Sequence, residues 1–206
     1  FNIAWYQCTP VLKLRNHPGK RMEFQRLFFA LWPDADVVGA LTRWARTAHA
    51  LCGGRIMRPD TLHLTLAFLG NVPTDRVPDV QAILREVQWS GGSLTLDRYG
   101  RFRGPRIVWA GPSTPVPWLD VLQRGLWQAL ARQDFTPPDE PFRPHVSLLR
   151  RAGPGDLARL PMPEPILWVP RRCVLVASTP RETGSYYREL ASCPVTGASD
   201  RQDDTD

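Results

Sequence analysis

The sequence predicts an α+β protein: two pseudosymmetric antiparallel β-sheet lobes facing a central cleft, with helices packed on the outer faces. Three observations predict it. Residues 62–70 alternate as a half-buried strand, with His63 and Thr65 on one face and Leu62, Leu64, Leu66 and Phe68 on the other. Residues 144–149 repeat the device, with His145 and Ser147 opposite Val146 and Leu148. Each copy follows an Arg-Pro pair, Arg58-Pro59 and Arg143-Pro144, and each is preceded by a helical pattern. Two related halves, each with a helix before its His strand, give an α+β layering of two antiparallel sheets that face each other.

The elements follow in order. Residues 26–31 are almost wholly apolar and read as a buried strand. Pro33 and Asp34 open a helix in which Val38, Leu41, Ala45 and Ala48 recur at helical spacing, and Gly53-Gly54 closes it. The first His strand ends at Gly70. Pro73-Thr74-Asp75 starts a second helix with Val80, Ile83, Leu84 and Val87 on one stripe. Residues 90–92 read as a turn and residues 93–98 as a strand. Residues 99–105 form a basic, aromatic connection to a strand at 106–110. A third helix spans residues 118–133 with Leu119, Leu122, Leu126 and Leu130 inward, and Thr136-Pro137-Pro138 breaks it before the second His strand. A short helix near residues 156–160 and strands at 166–169, 173–177 and 185–190 complete the pattern.

The domain reading is one bilobal domain over residues 22–190, a dispensable leader at 1–21 and a disordered acidic tail at 191–206. The leader holds the only two lysines, Lys13 and Lys20, and no acid; every later cation is Arg. The tail sets Arg201 against Asp200, Asp203, Asp204 and Asp206. The formal charge of +6 fits a phosphate-bearing partner. No apolar run approaches the ~20 residues of a membrane span, and no signal-peptide pattern opens the chain. Cys8, Cys52, Cys173 and Cys193 show neither close pairing nor metal-ligand spacing. A reduced, cytoplasmic monomer is expected.

The chemistry rests on the duplication. One His-x-Thr is common by chance, and a satisfied structural histidine is its ordinary explanation. Two copies on matching strands bring two imidazoles and two hydroxyls to one site, able to take a proton on one side and give one on the other. His49 reads as a helix-face residue. Arg98, Arg101, Arg103 and Arg106, interleaved with Tyr99 and Phe102, offer charge and stacking for an RNA strand, with a solvated hairpin as the alternative. The tryptophans, Trp32 and Trp109 among them, read as core or helix-face aromatics.

His63-Leu64-Thr65-Leu66 and His145-Val146-Ser147-Leu148 resemble the paired His-x-Thr/Ser-x motifs of the two-histidine phosphoesterase superfamily. Residues 26–31, the stretch ending Phe68-Leu69-Gly70, and His145 through Arg150 resemble its bacterial RNA 2′,3′-cyclic phosphodiesterase branch, historically called 2′-5′ RNA ligases. The likeness covers roughly residues 26–190. Ser147 stands where Thr is commoner, and nothing before Met22 has a counterpart. The resemblance implies opening of a terminal 2′,3′-cyclic phosphate to a 2′-phosphate without metal or cofactor. His63 and His145 would be the acid–base pair, with Thr65 and Ser147 on the phosphate oxygens. Arg150 would reach the phosphate too, although strict alternation puts it on the face opposite His145. Arg101, Phe102 and Arg103 are the candidate RNA contacts. The implied partners are RNA 3′ ends bearing the cyclic phosphate, tRNA fragments among them, and the reverse ligation belongs to the same branch. Two alternatives stay open at this point: the same chemistry on 2′-5′ oligonucleotides or small cyclic nucleotides, and a non-catalytic RNA-end-binding module.

Overall fold

In the computed structural model, which describes residues 23–87, 90–181 and 184–197, the chain folds in the following order. β1 (Phe24–Leu31), α1 (Ala35–Cys52), β2 (Arg55–Ile56) and β3 (Leu64–Pro73) come first, then α2 (Val77–Glu86), β4 (Ser90–Gly91), β5 (Leu94–Leu96), β6 (Arg98–Phe102) and β7 (Ile107–Gly111). α3 (Pro117–Ala131), β8 (Val146–Arg150), β9 (Ile166–Trp168), β10 (Arg172–Arg181), β11 (Gly184–Pro194) and β12 (Thr196–Gly197) complete it.

The main sheet has the order β11-β10-β1-β3-β8-β7-β6, with β2 paired to β8. All its pairings are antiparallel. It is two half-sheets, and a single residue pair, Leu64 with Val146, joins β3 to β8. These are the middle residues of the two His-x-Thr/Ser motifs. Both are fully buried, so the joint is locked from the core side. β5 with β9, and β4 with β12, form separate small sheets.

The helices lie on the face away from the cleft and brace the joint crosswise. α1 follows β1 in the chain yet packs under β8 and β7 in the other half. α3 follows β7 yet packs on β3 and against α2, which also reaches β11. α1 buries Leu41, Ala45 and Ala48 of its predicted stripe together with Val37 and Trp44, while Val38 is half-buried, and the Gly53 N–H caps it on the His49 carbonyl at 2.8 Å. α3 buries Leu119, Leu122, Leu126 and Leu130 likewise. β1 reads as continuously apolar because both its faces are covered. Leu27, Phe29 and Leu31 join the main core, while Phe28 and Ala30 form a smaller cluster with Val174 and Val176 on the cleft side.

Several expectations change. β3 runs on to Pro73, past Gly70, which takes a φ of 68°. Phe68 belongs to the cleft face and not to the apolar wall, because β3 bulges against β1 between the pairs Ala30–Thr65 and Phe29–Ala67. Residues 98–102, read partly as a connection, form β6, zipped to β7 through Gly100–Trp109. Ser90–Gly91 is a strand and not a turn. Residues 191–197 are not the start of a loose tail: β11 carries on to Pro194, and Thr196–Gly197 pairs with Ser90–Gly91. The leader at 1–21 and the acidic end from residue 198 lie outside the described residues.

Leu64→Ala should cost about 3 kcal/mol, a melting point lower by roughly 6–12 °C, as deletion of a fully buried Leu does. Leu96→Ala, equally buried but in the separate small β5–β9 sheet, should melt comparably and keep turnover. Leu64→Ala should lose turnover well beyond that control, measured below both transitions.

Candidate active site

The antiparallel pairing of Leu64 with Val146 sets His63 across from Ser147 and Thr65 across from His145, all four on the face away from the core. They line one cavity of about 300 Å³, with Phe102 on the His145 side and Phe28 and Tyr187 on the His63 side. The strands diverge from that one pair, which opens the cleft. Neither motif hydroxyl has a hydrogen-bond partner among the described residues.

The two imidazoles are held alike. His63 Nδ1 lies 2.7 Å from the Thr61 carbonyl, and His145 Nδ1 lies 2.7 Å from the Arg143 carbonyl. A carbonyl oxygen only accepts, so each Nδ1 donates, and in the neutral ring Nε2 is the free base. The backbone two residues upstream thus fixes the same tautomer twice. Residues 58–63 bend through a 3₁₀ turn at Pro59–Thr61, where the Thr61 N–H and hydroxyl both donate to the Arg58 carbonyl.

Aromatic rings surround both histidines. Phe28 stacks on His63 at 4.8 Å, Trp32 lies nearly parallel to it at 5.5 Å, and Tyr187 meets it edge-on. Phe102 meets His145 edge-on at 4.9 Å, and Trp109 is 6.1 Å away. Trp109 lies across β6 where Gly100 leaves room: a Cβ there would stand 2.0 Å from the indole. Burial is the main cause that pushes the His63 pKa down to about 4; the positive charges of Arg150 and His145 add to it, and the Thr61 carbonyl opposes it. Burial lowers that of His145 as well, with the Arg143 carbonyl opposing.

Arg150 does reach the cleft. β8 bulges between its pairings with Trp109 and Val108, leaving Leu148 extra, so Arg150 turns back to the face of His145. β3 has the same bulge at Leu66. Phe68 and Arg150, each five residues past its histidine, therefore occupy matching positions.

The hairpin arginines divide. Arg101 lies outside the cleft, with its donors taken up by the protein. Its guanidinium donates to the Gly153 and Gly155 carbonyls and to Cys52 Sγ, pinning the loop after β8. Arg106 donates to the carbonyls of Ala152 and Arg151 in the same loop. Phe102 lines the cleft as a ring against His145, and Arg103 stays exposed on a separate groove. The sequence reading gives Trp32 a place in the core and Arg26 and Tyr187 no part in the site, whereas Arg26 and Tyr187 line the cleft and Trp32 lies against His63. Alternation continued from Phe28 through Ala30 reaches Trp32, and alternation from Ser185 reaches Tyr187. Among the described residues no three His, Cys, Asp or Glu side chains gather as a metal would need. Nor is any helix there long and apolar enough to cross a membrane.

An antiparallel bilobal sheet with an imidazole–hydroxyl strand at the inner edge of each half is the fold of the two-histidine phosphoesterases. Residues 31–109 match the LigT-like phosphoesterase family. The chain is 36% identical over 130 residues to the RNA 2′,3′-cyclic phosphodiesterase of Escherichia coli K12, a match that covers 63% of this chain and 74% of that protein. It is 28% identical to the enzyme of the same name from Thermus thermophilus, over 86% of this chain and 93% of the relative. The crystal structure of E. coli LigT with 3′-AMP superposes with a TM-score of 0.73 at 31% identity, covering 84% of this chain and 99% of that one. The chain belongs to the LigT-like phosphoesterase family.

Two outcomes follow from the buried groups. Unfolded His63 takes up its proton near pH 6.5 and folded His63 only near 4, so stability falls as pH drops through that window. The slope from this residue is at most about 1.4 kcal/mol per pH unit. Thermal melts at pH 7 and pH 4.5 should show a smaller drop for His63→Gln than for the native chain. Arg101→Ala should lower stability by about 2 kcal/mol through the carbonyls it leaves unpaired, while Arg103→Ala should leave the melting point unchanged.

Proposed function

We propose that this protein hydrolyses the 2′,3′-cyclic phosphate at RNA 3′ ends to a 2′-phosphomonoester, with His63 and His145 as its acid–base pair. The observation that carries the reading is the pair of matched imidazoles, each tied at Nδ1 to a backbone carbonyl and both lining one cavity. The names of the relatives support the substrate class.

One imidazole, neutral, takes a proton from the attacking water at Nε2. The other, protonated, gives its Nε2 proton to the departing ribose 3′ oxygen. Thr65 and Ser147 donate to the non-bridging phosphate oxygens, whose charge grows towards the transition state, and Arg150 supplies a positive charge beside them. The rings around each histidine exclude water and strengthen these interactions. Each turnover leaves the pair with its proton on the opposite ring, and exchange with solvent resets it. With a 5′ hydroxyl in place of the water, the same two proton transfers open the cyclic phosphate into a 2′-5′ phosphodiester as the 3′ oxygen leaves, and run backwards they cleave that linkage again; this is the ligation attributed to this branch. Ends of cleaved tRNA are one source of such substrates, and Arg103 is positioned to meet a longer strand.

His63→Ala or His145→Ala should each lower kcat at least ~100-fold on a dinucleotide 2′,3′-cyclic phosphate, and Thr65→Ala or Ser147→Ala about 10-fold. EDTA should leave turnover unchanged. The active form carries one proton on the pair. Both imidazoles are pulled below their ordinary 6.5, so kcat/KM should peak on the acidic side of 6.5. It should fall above the peak as the second ring deprotonates and below it as both rings charge, the limbs belonging to the pair. Full activity in either His→Ala variant, or loss to a chelator with recovery on a divalent ion, would overturn the mechanism.

A further inference from the structure

The geometry points to Arg26 as a second anion-binding group in the cleft, which takes the internucleotide phosphate next to the cyclic one and so favours an RNA end over a lone cyclic nucleotide. This rests on the function proposed above.

Three observations carry it. Arg26 lines the same cavity as His63, Thr65 and Arg150, its guanidinium Cζ 4.8 Å above the ring of Phe68. Among the described residues its five N–H groups have no carboxylate or carbonyl partner, and its guanidinium lies against the ring of Phe68 alone. That sets it apart from Arg101 and Arg106, whose donors are taken up by carbonyls. Finally, Phe68 occupies the position in β3 that Arg150 occupies in β8, after the same bulge. Where one half of the site presents a cation directly, the other presents a ring with a cation laid over it from the next strand.

The offset says which phosphate it meets. Arg26 lies on the cleft face of β1 two residues before Phe28, the ring stacked on His63. One such strand step is about 7 Å. Arg150 and the two hydroxyls already surround the position between the histidines. Arg26 therefore stands one step along the cleft, where a strand leaving the reacting end carries its next negative charge. A planar guanidinium backed by an aromatic ring is suited to a phosphodiester's two free oxygens.

The test is binding to the full chain of two product-like probes that are not turned over: a nucleoside 2′-phosphate and a dinucleotide ending in a 2′-phosphate. Arg26→Gln should weaken the dinucleotide about 10-fold and change the mononucleotide by less than about two-fold. The dependence of log K on log salt for the dinucleotide should become shallower by about 0.7, as loss of one phosphate contact to a single strand requires. Phe68→Leu, which keeps the bulk and removes the ring, should give a milder version of the same pattern, and Arg26→Lys should recover part of the lost affinity. Equal weakening of both probes would place Arg26 on the terminal phosphate and overturn the proposal, as would no change in either. Turnover of a dinucleotide cyclic phosphate by the native chain is measured alongside. A chain that distinguishes the probes through Arg26 but turns nothing over would count against the hydrolytic reading alone.

Discussion

One backbone pairing holds this architecture together. Leu64 and Val146 are the only residues through which β3 and β8 meet in the ladder, and they sit at the centre of the two motifs. Their side chains go into the core; the residues on either side of them go into the cleft. A joint of one pair would be a hinge if it stood alone. It does not, because α1 and α3 each leave one half and pack beneath the other. The spacing of the two histidines is therefore set from below, by apolar packing across the joint, and not by contacts in the cleft itself.

Most of this was legible in the sequence because burial writes itself as periodicity. The two His strands, the stripes of α1 and α3 and the all-apolar β1 follow from which faces are covered. The misses have physical causes. Phe68 was assigned by strict alternation, which also put Arg150 on the wrong face although the resemblance had it reach the phosphate, and a bulge of one residue reverses the face of everything beyond it. Nothing in Leu66-Ala67 or Leu148-Leu149 marks such a bulge, since the extra residue is apolar like its neighbours. Arg101 was read as available to RNA because its sequence neighbours are basic and aromatic. The carbonyls it binds, at Gly153 and Gly155, come from a loop that pattern alone does not bring near. β6 was hidden by Gly100, which looks like a turn residue and is in fact the slot for Trp109.

The electrostatics of the cleft are one-sided. Two imidazoles, Arg150 and Arg26 line it, and no carboxylate among the described residues does. Burial among aromatic rings keeps the histidines uncharged in the empty cleft, which limits the repulsion among these groups. A bound phosphodiester brings the missing negative charge and favours protonation of the pair. On this view the site is poised so that the substrate itself helps to supply the acid the reaction needs.

The place of β1 has a consequence for biogenesis. Among the described strands of the sheet it is the first in the chain, and its two edges are covered by β3 and by the much later β10. During synthesis one edge of this apolar strand stays open until almost the whole domain has left the ribosome, and sheets closed by such distant partners form slowly. An open apolar edge is also where chains pair wrongly with one another. The cleft wall that carries Arg26, Phe28 and Tyr187 is thus finished last, and the nascent protein has no site until its final hairpin docks.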